Sequence, residues 1–135
     1  MKKVSFIALL FLFSSVVFAL DFRYTKDISL KKDEQMKILV KYGQYNKLFK
    51  FRWTLYKNEG VVILRSYDKI VAQNILYERK NSRSFKVTLK PSVGHSYIAP
   101  YFLVKFLKYD FEKDEALFAI MLRDEEYEIQ LEELQ

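Results

Sequence analysis

Apolar and polar residues alternate with a period of two through most of this chain. That alternation restricts it to β structure, because successive side chains on a strand face opposite ways. Between Lys47 and Tyr56, the residues Phe49, Phe51, Trp53 and Leu55 share one face, and Lys50, Arg52 and Thr54 share the other. The stretch 84–90 repeats the pattern, with Phe85, Val87 and Leu89 inward and Lys86, Thr88 and Lys90 outward. Met36, Ile38 and Val40 alternate with Lys37 and Lys41. Tyr127, Ile129 and Leu131 alternate with Glu126, Glu128, Gln130 and Glu132.

Three runs are apolar on both faces: 61–64, 101–107 and 116–122. Runs of this kind suit central strands covered on both sides. Short polar stretches separate them from their neighbours. Glu112-Lys113-Asp114 reads as the turn of a late hairpin, and Lys57-Asn58-Glu59-Gly60 as that of an earlier one, with Gly60 supplying the positive φ. Residues 67–79 read as strand or helix. Tyr67, Ile70, Val71 and Ile75 sketch a helical stripe that Asn74 interrupts, so a turn at 66–69 and a strand from Ile70 to Glu78 are preferred. The polar stretch 27–35 is expected to join the first strand to the second, and Pro91 to Pro100 to form a loop.

About seven to nine short antiparallel strands result. Regular strands with turn signals predict an all-β sandwich or barrel. Leu89-Lys90-Pro91 followed by Tyr97 or Tyr101 has the outline of a tyrosine corner, which favours an immunoglobulin-like β-sandwich. A small calycin-like β-barrel is the alternative. At 135 residues, with no repeat and an even spread of apolar positions, the chain predicts one domain.

The first residues carry a different message. Met1-Lys2-Lys3 precedes a short apolar run ending Val17-Phe18-Ala19. A basic start, an apolar stretch too short to span a bilayer comfortably and a small-x-small end describe a secretory signal peptide. Cleavage is expected after Ala19, leaving 20–135 as a single all-β domain in the periplasm, with no stable membrane span.

The chain has no Cys, one His and three Gly. Disulfides, thiolate metal sites and cysteine catalysis are therefore excluded. No G-x-S-x-G is present, and phosphate-binding or dinucleotide fingerprints find too few glycines. His95 lies between Ser92 and Ser96 with no Asp or Glu within ten residues on either side, so it reads as a solvated loop residue. Asp110, Glu112, Asp114 and Glu115 cluster without the spacing or glycine of a calcium loop. No catalytic residue, no metal ligand and no cofactor is predicted.

Charge is distributed unevenly. Residues 20–113 hold 20 basic and 9 acidic side chains, whereas 114–135 hold 1 basic and 8 acidic. Two consequences follow. The acidic last strand can lie beside basic strands, where opposite cross-strand charges help. A remaining basic surface, for which Lys50, Arg52, Arg83 and Lys86 stand as candidates, would attract an anionic partner. After export that partner is an envelope protein or an anionic envelope surface rather than nucleic acid. The expectation is a non-enzymatic binding or assembly module. A carrier of a small apolar or lipid ligand is the alternative if the strands close into a barrel.

Overall fold

The computed structural model describes residues 22–79, 82–91 and 98–134. Nine strands form among them: β1 (Tyr24–Lys31), β2 (Met36–Tyr42), β3 (Tyr45–Lys57), β4 (Gly60–Tyr67), β5 (Ile70–Tyr77), β6 (Ser84–Thr88), β7 (Tyr101–Asp110), β8 (Glu115–Arg123) and β9 (Gln130–Leu134). Asp68 and Lys69 thus make the turn and Ile70–Tyr77 the strand expected there rather than a helix, while Ser66 and Tyr67, expected in the turn, belong to β4. All pairings are antiparallel. They make a four-stranded sheet A, ordered β1-β8-β7-β6, and a five-stranded sheet B, ordered β5-β4-β3-β2-β9. The architecture is a β-sandwich. Among the described residues no hydrogen-bonded ladder joins the sheets, so the barrel alternative is corrected: the described strands do not close.

The inner faces meet through aromatic rings. Phe49 and Phe51 of β3 reach Phe102 of β7 at 5.1 Å and Phe118 of β8 at 5.4 Å. All four are fully buried, each contributing roughly 2–3 kcal/mol of hydrophobic free energy. Trp53 is buried beside them and donates its indole N–H to the Leu30 carbonyl at 2.7 Å, tying β3 of one sheet to β1 of the other. The space a barrel carrier would offer its ligand is filled by these side chains.

Two bulges bend the simple alternation. The β3–β4 register shifts between Trp53 and Leu55, and the β7–β8 register shifts between Phe106 and Lys108. An extra residue reverses which side chains face the core. Leu55, expected inward, is therefore 50% exposed on the outer face. Tyr56 and Tyr109 turn inward instead and stack at 4.1 Å with planes 4° apart.

The turns hold a second correction. Asn58 and Glu59 take the positive φ of the β3–β4 hairpin, at 55° and 65°, and Asp68 and Lys69 do the same for β4–β5. Gly60 is already in β4. Its glycine is needed because a Cβ there would come within 2.7 Å of the Tyr77 ring. In the β7–β8 turn, Asp110 Oδ1 accepts the N–H groups of Glu112 and Lys113, and Asp114 supplies the positive φ.

Three further expectations change. Residues 27–31 belong to β1 rather than to a linker. As an edge strand facing solvent on one side, β1 shows polar Thr25, Asp27 and Ser29 outward. The doubly apolar runs do occupy interior strands β4, β7 and β8, but no further layer covers their outer faces among the described residues. Tyr101 makes no tyrosine corner, since its ring lies on the outer face under Lys86. The carbonyl of Leu89 instead accepts a buried hydrogen bond from Tyr67 of β4, at 2.7 Å. Burial and the nearby Tyr42 and Asp68 hold the Tyr67 hydroxyl protonated well above the ordinary tyrosine range.

Candidate functional site: a basic and aliphatic sheet face

The charge asymmetry of the chain is partly consumed inside the fold. The acidic end folds back as β9 beside β2, pairing Glu132 opposite Leu39 and Glu133 opposite Ile38. Glu132 then meets Lys41 at 2.8 Å, Glu133 meets Lys26 at 2.6 Å, and Glu128 meets Lys90 at 2.9 Å. Lys26 and Tyr24 both donate to Glu133 and hold its carboxyl below the usual range. The loop before β9 is pinned by Asp124, the one charged residue buried among those described. Its carboxylate binds Arg23 at 2.6 Å and accepts the N–H groups of Glu128 and Ile129 at 3.0 and 2.8 Å.

The outer face of sheet B keeps its positive charge. Strand pairing aligns Lys37, Lys50, Ser66 and Val71 in one row, and places Arg52 beside Leu64 in the next. Lys37, Lys50 and Lys57 make no ion pair among the described residues, and Arg52 has only Asp33, at 4.0 Å. Aliphatic side chains lie between and beside these cations. Val71 is 75% exposed, Leu55 50% and Ile75 47%. Because Ser66 is short, the row dips between Lys50 and Val71. Two adjoining depressions form there, of about 210 and 360 Å³. Lys50, Arg52, Leu64 and Val71 line the first, and Leu48, Lys50, Asp68 and Lys69 line the second.

The neighbouring cations are committed elsewhere. Lys47 bonds Asp68 at 3.0 Å with its ammonium 5.5 Å from the rings of both Tyr42 and Tyr45. Tyr42 and then Asp68 raise its pKa. Arg65 lies over the Phe85 ring at 4.8 Å and donates to Asn74 at 2.6 Å, and its burial lowers its pKa.

The four candidate residues do not converge. Lys50 and Arg52 share the outer face of sheet B. Lys86 is on the outer face of sheet A, 4.2 Å from the Tyr101 ring. Arg83 is half-buried at the sheet A edge and turned toward the carbonyls of Phe106 and Leu107 at 3.5 and 3.4 Å. The patch is therefore Lys50 and Arg52 without Arg83 and Lys86. Lys37, Ser66, Val71 and Ile75 join it. The absence of any charge between Ile70 and Tyr77 was the available sign of the aliphatic part, though it identified no partner.

His95, Ser92, Ser96, Tyr97 and the cleavage point after Ala19 lie outside the described residues. Within the described residues, no cluster of three or more His, Cys, Asp or Glu side chains is placed to hold a metal. The chain thus has the form of a two-sheet antiparallel sandwich with one cationic, aliphatic outer face. Comparison with protein-family models, curated proteins and solved structures finds no match for it.

Proposed function

We propose that this chain is an exported, non-enzymatic binding module that docks an acidic envelope protein on the outer face of sheet B. The observation that carries the reading is the combination on one face of Lys37, Lys50 and Lys57, which make no ion pair among the described residues, with exposed Leu55, Val71 and Ile75. Cations steer an anionic partner to the face, and aliphatic contact retains it. Export through the basic and apolar leader ending at Ala19 brings the module to the periplasm. We read the likeness to immunoglobulin-like domains as one of layers. Strands β2 to β5 are sequential neighbours here, whereas immunoglobulin-type sandwiches use Greek-key connections.

The test is native mass spectrometry of the tagged chain isolated from its own cells. A bound protein subunit is expected for the wild type and for Lys86→Glu, and is lost when Lys50→Glu and Arg52→Glu are combined. Retention of the subunit by the double variant overturns the reading.

A further inference from the structure

The four edges of the sandwich are not equally defended. Strand β1 carries Lys26, Asp27 and Lys31. Strand β6 is five residues long, with Lys86 at its centre and Pro91 just beyond. Strand β9 is also five residues long and holds Glu132 and Glu133. Shortness, charge and proline are the devices that stop an exposed edge from pairing with another chain. Strand β5 has none of them. Its eight residues, Ile70–Tyr77, contain neither charge nor proline. Its register with β4 runs unbroken from Ile70 to Tyr77, without a bulge to twist it away.

The backbone of β5 shows which groups are available. The Tyr77 N–H donates to the Ser82 carbonyl at 2.9 Å, away from β4. Backbone groups of alternate residues point to alternate sides of a strand in an antiparallel ladder. The N–H and C=O groups of Val71, Gln73 and Ile75 therefore point to the free edge, and no strand pairs with them among the described residues.

We propose that β5 is a strand-addition site and that its occupant is an extended acidic segment of the partner, with carboxylates at alternate positions over the groove. This rests on the reading of the sheet B face as a docking surface, and adds the partner's conformation and its point of attachment. Charge complementarity selects the occupant. Lys50, Arg52 and Lys69 line the groove beside this edge, and the one carboxylate in its lining, Asp68, is paired with Lys47 at 3.0 Å. Strands lie about 4.8 Å apart, so an added strand is about 14 Å from Lys50 on β3. A glutamate and a lysine extended toward each other over exposed Val71 and the low Ser66 floor span that distance. A second copy of β5 carries no charge and leaves the cations unmatched, so the acidic segment is the better fit. Main-chain hydrogen bonds then provide affinity, and the alternate side chains provide specificity.

The probe is a capped eight-residue peptide alternating glutamate and valine, titrated into the chain lacking residues 1–19. Three comparisons accompany it: the same peptide N-methylated at alternate residues, a lysine–valine peptide, and the protein variants Gln73→Pro and Lys50→Glu. Gln73 directs its N–H outward, so proline there removes no bond to β4 and is tolerated on an edge. The acidic peptide is expected to bind. Amide exchange at Val71, Gln73 and Ile75 should slow by about tenfold or more, while Ala72 and Asn74 stay unchanged. N-methylation, Gln73→Pro and Lys50→Glu should each weaken binding by about tenfold, and the lysine peptide should not bind. Equal binding of the N-methylated peptide overturns strand addition and leaves the charged face standing. Absence of acidic-peptide binding, while the cellular complex still depends on Lys50, likewise overturns the strand-addition proposal alone. A concentration-dependent dimer dissolved by Gln73→Pro shows that a second copy closes the edge, and also overturns it.

Discussion

The two edges of sheet B face the same problem with opposite chemistry. At one edge, β9 is short and acidic, and its carboxylates are drawn into bonds with Lys26, Lys41 and Tyr24. At the other, β5 is longer, uncharged and aliphatic, and no strand pairs with its outward backbone groups among the described residues. Charge on an edge strand raises the cost of pairing with another chain, and its absence lowers that cost. One edge is closed by the chain's own acidic end. The other is open, and it adjoins the cations that this acidic end does not neutralise.

The largest effect is expected behind the closed edge. Asp124→Ala removes a buried carboxylate that binds Arg23 and two backbone N–H groups. It should cost about 3 kcal/mol, seen as a lower denaturant midpoint. A loss below about 0.5 kcal/mol would mean that β9 is held by its strand pairing alone.

At the open edge the comparable anchor is a close contact. Gly60→Ala drives a methyl into the Tyr77 ring, which must shift. The cost should be about 1–2 kcal/mol in the same unfolding experiment. Because φ at Gly60 is not positive, Gly60→Ala adds no backbone strain, and a neutral result would show that the ring moves freely.

The exposed ion pair at β9 is worth less, about 0.5 kcal/mol, and depends on pH. The folded pKa of Glu133 is depressed. Its contribution is therefore present above the unfolded carboxyl value and is lost as pH falls through the folded one. Lys26→Met should move the Glu133 titration, followed by carboxyl NMR, upward toward the ordinary value of 4.5. It should narrow the stability difference between pH 6 and pH 3. An unmoved titration would assign the depression to Tyr24.

The smallest effect on stability belongs to the open edge itself. Val71→Lys with Ile75→Lys changes exposed side chains only, and should alter folding free energy by less than about 0.5 kcal/mol. Light scattering during heating should nevertheless fall, because the edge then carries the charge that β1, β6 and β9 already have. Exchanging Glu132 and Glu133 for valine should raise scattering and make the two edges alike.

Alternation with period two determined by itself that this chain is all-β. It also identified most core positions, among them Ile38, Phe49, Phe51, Phe85 and Val87, but it took residues 126–129 for strand where they form the loop before β9, with Tyr127 74% exposed. Local sequence was enough at those core positions because a half-buried strand must present every second residue to the core. It failed at Leu55, where a bulge invisible in the residue pattern reverses the faces so that Tyr56 can stack on Tyr109 of the opposite sheet. It also failed for the basic surface. Lys50, Arg52, Arg83 and Lys86 look equivalent along the chain. Only the stacking of the sheets places two on one outer face, one on the other, and one against backbone carbonyls. Asp124 was no more conspicuous than Glu125 or Glu126 until the crossing from β8 to β9 buried it. Whether a charge is matched or left free depends on strands far apart in sequence becoming neighbours, and that is decided by tertiary structure alone.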